Sequence, residues 1–80
     1  MALYKHAGYL AHATDAIFDE STEPGNAAPR SGIYRCMGCG REASSTEGHP
    51  LPPQNHHQHT RDQGSIRWRL TVYANHRPST

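Results

Sequence analysis

The residues able to do chemistry fall into two groups. Cys36 and Cys39, in "CMGC", are the chain's two cysteines. His56, His57 and His59 crowd into four positions of "PPQNHHQHT", residues 52 to 60. Two thiolates two residues apart can hold one ion from a tight turn, and structural zinc takes four ligands, commonly as two such pairs. One CxxC supplies half of that set. The spacing Cys36-x2-Cys39-x16-His56-x2-His59 offers a second pair, with His57 able to replace either histidine and His49 a further substitute. Gly40 follows the second cysteine and can take positive φ without steric cost, which lets backbone N–H groups point at the sulfurs.

Other readings of the same residues stay open. The cysteines could be a redox dithiol or buried thiols, and the histidines could be polar loop residues. Asn55, His56 and Gln58 could satisfy backbone groups in a loop that lacks ladder partners. A redox CxxC needs the N-terminus of a helix to lower its thiol pKa, and "GREASSTEG" makes a poor helix. Hydrolytic zinc needs an open coordination position and a base, for which Glu47 is nearest in sequence. The expectation is therefore no enzyme, with a CxxC redox protein as the alternative.

The elements that must position these groups are strands and loops. "SIRWRLTVYA", residues 65–74, alternates Ile66, Trp68, Leu70 and Val72 with Arg67, Arg69, Thr71 and Tyr73, the period-two pattern of a half-buried strand. "GIYRC", 32–36, reads as a strand entering a turn, and "REASST", 41–46, as a weaker strand returning antiparallel to it. Residues 47–64 hold too much Pro, Gly and polar character for a regular element. Residues 2–19 fit a helical stripe and short strands equally well. "ESTEPGNAAPRSG", 20–32, reads as an extended connector. The fold expected is all-β, a small antiparallel sheet with Ile33, Tyr34, Ile66, Trp68 and Leu70 as its core. The divisions expected are an N-terminal arm 1–19, a proline-containing connector 20–31, a β domain 32–75 and a tail 76–80.

Eighty residues make one small domain, and cores of this size commonly need a metal, a disulfide or a partner chain. The net charge is +1 but unevenly placed. Residues 1–29 set one lysine against four carboxylates, a net −3, and residues 30–80 set seven arginines against three, a net +4. The two segments could attract each other within a chain or between chains. No apolar run approaches the roughly 20 residues that span a membrane, and the N-terminal stretch lacks a signal peptide's apolar centre. A cytoplasmic protein is expected, where CxxC favours metal or redox chemistry over a structural disulfide.

"SGIYRCMGCG", then "HPLPP", then a strand containing "WRL" resembles small bacterial zinc-ribbon-like proteins. Their pattern is strand, CxxCG, strand, a proline-rich turn with a second CPxC knuckle, then strand. Cys36, Cys39 and Gly40 match the first knuckle. Where the pattern has its third and fourth cysteines, this chain has Gln54 and His57. The resemblance thus implies Cys36 and Cys39 as zinc ligands, admits His57, and leaves the fourth among His56, His59 and His49. More narrowly, the chain looks like a small bacterial family of unassigned function carrying GIYRCxxCG and HPLPPQNHHQHT, which implies no activity.

Three functional readings follow. The first is a non-catalytic binding or adaptor module, stapled by zinc and partnered by another protein. The second is single-stranded nucleic-acid binding through a strand face bearing Arg35, Arg67, Arg69 and Tyr73, where arginine holds phosphate and the aromatic stacks a base. Against it stands the ordinary solvated face of a half-buried sheet, which the near-neutral charge favours. The third is a metal-free homodimer in which residues 2–19 cross to a partner chain about the hinge 20–32.

Overall fold

The computed structural model describes residues 1–53 and 64–74. Four strands form one antiparallel sheet: β1 Ser21–Thr22, β2 Gly32–Cys36, β3 Glu42–Ser45 and β4 Trp68–Tyr73. Their spatial order is β1-β4-β2-β3, so β2 and β4 are central. The fold is all-β, as the alternating pattern of 65–74 implies. Tyr34 pairs with Leu70 and Cys36 with Trp68. Neighbouring inward residues of β2 and β4 therefore share one face, and all four side chains are buried.

Ile66, Leu51 and Ala28 complete the buried cluster, with Ile17, Phe18, Cys39 and Ala43 packed partly against it. Ile33, expected in the core, is only half-buried. Alternation along β2 puts it on the face opposite Tyr34 and Cys36, and a register shift, which leaves Thr71 as an extra residue on β4, turns its partner Val72 to that face too. Such a bulge breaks the ladder and re-aims side chains. The Thr71 hydroxyl donates to the Ile33 carbonyl at 2.9 Å and restores a partner there.

Two stretches differ from the sequence expectation. Residues 2–19 form neither an α-helix nor a strand. They make two short 3-10 turns, Ala7–Tyr9 and Ala16–Phe18, the second begun by the Asp15 carboxylate accepting from the Ile17 N–H at 3.1 Å. Residues 20–31 are not a bare connector. Ser21 and Thr22 pair with Arg69 and Trp68. Residues 25–28 then zip against 48–51: the Ala28 and Leu51 N–H groups donate to the His49 and Asn26 carbonyls, both at 2.8 Å. That zipper seats Leu51 in the core. Proline and glycine signals mark where a chain turns, and long-range pairing decides whether the turn is then fixed.

The Tyr34 hydroxyl ties β2 to the start of the same segment. It donates to the Arg30 carbonyl at 2.5 Å and accepts from the Arg30 N–H at 3.0 Å. Burial pushes its pKa up, and the hydrogen bond to Arg30 offsets that only in part. The Trp68 indole N–H donates to the Pro52 carbonyl at 3.3 Å.

Candidate metal centre

The turn between β2 and β3 is the knuckle that carries both cysteines. The Cys36 N–H donates to the Arg41 carbonyl at 2.7 Å, and the Gly40 N–H donates back to the Cys36 carbonyl at 2.8 Å. Closing the turn this way requires positive φ at Gly40, which stands at +82°. The turn is further held from β4's side, where the Met37 N–H donates to the Arg67 carbonyl at 2.9 Å. Cys36 is fully buried and Cys39 partly so, and the two do not form a disulfide.

The electrostatics of the turn suit a thiolate. Burial alone pushes the Cys36 thiol up. Backbone hydrogen bonds from Cys39 and Gly38, the Cys39 side chain and the Arg67 backbone outweigh it and hold the thiol below its ordinary value. A sulfur already surrounded by N–H donors is the form that binds a soft ion. The knuckle therefore fits one half of a zinc site, with Cys36 and Cys39 as ligands.

His56, His57 and His59 lie outside the described residues, as do Gln54, Asn55 and Gln58. The described residues that flank them do approach the knuckle. Pro52 is bonded to Trp68, the partner of Cys36, and Arg67 touches the knuckle backbone. His49 is a correction. It lines an open cleft of about 530 Å³ with Gly32, Ser45 and Thr46, at the opposite end of β2 from Cys36. Four strand residues span roughly 13 Å, too far for one ion. Among the described residues, no three His, Cys, Asp or Glu side chains gather at one point. Glu47 sits at that same far end, its N–H donating to the Ser31 hydroxyl at 2.8 Å. His6 and His12 are exposed.

The strand face predicted to carry arginines is partly assembled. Arg35 and Arg69 are direct cross-strand partners, and both are exposed. Tyr73 is exposed too, but the bulge at Thr71 pairs it with Gly32 and so puts it on the opposite face from the arginines, against the sequence expectation. Arg67 is not part of that row. It precedes β4, donates to the Ile66 carbonyl at 2.9 Å and leans on Glu23 at 3.8 Å. Its backbone is what matters to the knuckle, a role the sequence hid. The available signal was its place just before the strand residue that pairs with Cys36.

No protein-family model matches the chain, and no solved structure matches it. Among curated proteins, it is 55% identical over 49 residues to "Protein L" of Escherichia coli, covering 61% of this chain and 55% of that protein. It is 46% identical over 39 residues to an uncharacterised protein of Mycobacterium tuberculosis, covering 49% of this chain and 39% of that protein. The chain thus spans about half or less of the curated relatives it matches. Among the described residues, no helix is long and apolar enough to cross a membrane.

Proposed function

We propose that the chain is a small cytoplasmic, non-catalytic, zinc-ribbon-like binding module whose fold is stapled by zinc. Cys36 and Cys39 hold the ion, and two histidines among His56, His57 and His59 complete it. The observation that carries this reading is the closed knuckle, with N–H donors on the Cys36 sulfur and the second cysteine beside it. Zinc there would supply a cross-link between the β2–β3 turn and the loop that leads to β4, and small cores gain stability from such links. The partner is another protein. Met37, at the knuckle's tip, keeps 49% of its surface exposed and gives that end an apolar contact point.

Metal analysis of the purified protein tests the staple. The wild type is expected to carry about one zinc per chain, and Cys36→Ser to lose both the zinc and the cooperative unfolding transition. A folded wild type without zinc would leave the histidine loop held by hydrogen bonds alone.

A second reading, self-association, rests on a separate observation. Residues 1–16 are all exposed, including Leu3 at 95% and Tyr9 at 85%. A run of exposed apolar side chains marks an interaction segment. Ile17 and Phe18 pack on this chain's own core, and Met1 pairs with Glu42 through its amino group at 2.9 Å, so the apolar side chains available to a second copy lie between these two anchors. Light scattering through a dilution series is expected to show a dimer that dissociates, and that is lost when residues 1–14 are removed. A monomer at every concentration refutes it.

A further inference from the structure

The outer edge of β3 is open. The Cys36 N–H donates to the Arg41 carbonyl, and the same register continues through Tyr34–Ala43 and Gly32–Ser45. Antiparallel pairs alternate between bonded and non-bonded, so Arg41, Ala43 and Ser45 turn their backbone groups toward β2. Glu42 and Ser44 turn theirs outward. The strand order gives β3 one neighbour, and among the described residues nothing donates to or accepts from those outward groups. Such an edge is a template for a further strand. No proline, lysine or bulge in β3 blunts it. At its Ser45 end the edge runs into the open cleft of about 530 Å³, whose walls include Ile33, Ser44, Pro50 and Ala74.

The chain carries a segment that fits this edge. Residues 2–5 match β3 in length, are exposed, and among the described residues make no hydrogen bond. The 3-10 turn Ala7–Tyr9 bounds them, and His6 before it is already extended, with φ −106° and ψ 98°. The segment starts at the edge itself, where the Met1 amino group meets Glu42 at 2.9 Å. The chain's own arm thus reaches β3 and leaves its outward groups bare. We propose that residues 2–5 of a second copy add to β3 as a further strand, reciprocally in the pair. Main-chain bonds to a sheet edge supply affinity, and pockets for alternate side chains supply fit. Alternation turns one of Leu3 and Tyr4 to the side of the cleft, which receives it. A mutual exchange of this kind closes with two-fold symmetry, and Ile17 and Phe18 of each copy stay on its own core. Two β3 edges pairing with each other would bring together Glu42, Ala43, Ser44 and Ser45, with little apolar area to bury. The arm brings Leu3 and Tyr4 instead. This inference rests on the self-association reading and names the surface that receives the arm.

Amide exchange of the full wild-type chain, read residue by residue through a dilution series beside light scattering, tests it. The Glu42 and Ser44 amides are expected to be protected where the chain is a dimer and to exchange freely where it is a monomer. Ala43 and Ser45, bonded to β2, should stay protected in both. Ser44→Pro removes only an outward N–H, a position where edge strands accept proline. It is expected to keep the wild-type circular dichroism and to raise the dimer dissociation constant about tenfold or more, since each copy loses one hydrogen bond. Glu42 and Ser44 amides that do not respond to dimer formation overturn the proposal and leave the self-association reading standing. A dimer that survives removal of residues 1–5 overturns it in favour of paired β3 edges. Protection of Ser44 at every dilution means that the chain's own arm closes the edge, and overturns the exchange. A monomer at every concentration overturns both the proposal and the reading beneath it.

Discussion

Trp68→Ala is expected to unfold most of the protein at room temperature. The indole is fully buried and is the largest side chain in the core. Its truncation removes contacts on every side and leaves a cavity that a seven-residue buried cluster has little means to refill. Changes of this kind cost about 3–5 kcal/mol. At 0.05–0.15 kcal/mol per residue, a chain of this size has roughly 4–12 kcal/mol in total. The loss is therefore a large share of the whole. Trp68→Phe separates packing from hydrogen bonding. It keeps a ring in the core but leaves the Pro52 carbonyl without its indole donor, at about 1–3 kcal/mol. The denaturation midpoints should rank wild type, Phe, Ala. If Ala matches wild type, the core is not where the structure puts it.

Gly32→Ala is expected to be nearly as damaging, and for a backbone reason. Gly32 begins β2 with φ at +155°. A Cβ built there would stand 2.0 Å from the Val72 carbonyl oxygen and 3.0 Å from the Leu70 side chain. A flexible side chain could move aside, but the Val72 oxygen belongs to the central strand pair. The sheet must separate at Gly32–Tyr73 or bend β2 away from β4. Either costs several hydrogen bonds, about 3 kcal/mol or more in total. Urea denaturation checks it. Gly48→Ala serves as the comparison, since nothing lies within 4 Å of its built Cβ and only its φ of +86° opposes the change. An unchanged midpoint for Gly32→Ala would mean that the β2–β4 register is wrong.

The sheet was legible where side-chain pattern and local geometry agree. Ile66, Trp68 and Leu70 alternate with polar residues, and burial follows that alternation. The knuckle was legible because CxxCG encodes its own turn. What escaped the reading was set by long-range pairing. Ser21 and Thr22 carry no strand pattern and join the sheet only because β4 lies beside them. Leu51, alone among prolines, is buried because residues 48–51 zip onto 25–28. Ile33 looked like a core residue but alternates with buried Tyr34 and Cys36, and Val72 leaves the alternation of Ile66, Trp68 and Leu70 because the bulge at Thr71 turns it to Ile33's face. His49 has the same chemistry as the other histidines, and only its bond to Ala28 shows that it belongs to the far end.

The same distinction sharpens the metal hypothesis. Removing His49 leaves His56, His57 and His59 as the histidines of the chain's second half that can join the cysteines before β4 begins. X-ray absorption at the zinc edge of the purified wild-type protein tests the central claim most directly. We expect a four-coordinate ion with two sulfurs at about 2.3 Å and two nitrogens at about 2.0 Å. A zinc-free folded protein, or bound zinc without sulfur in its first coordination sphere, would contradict it.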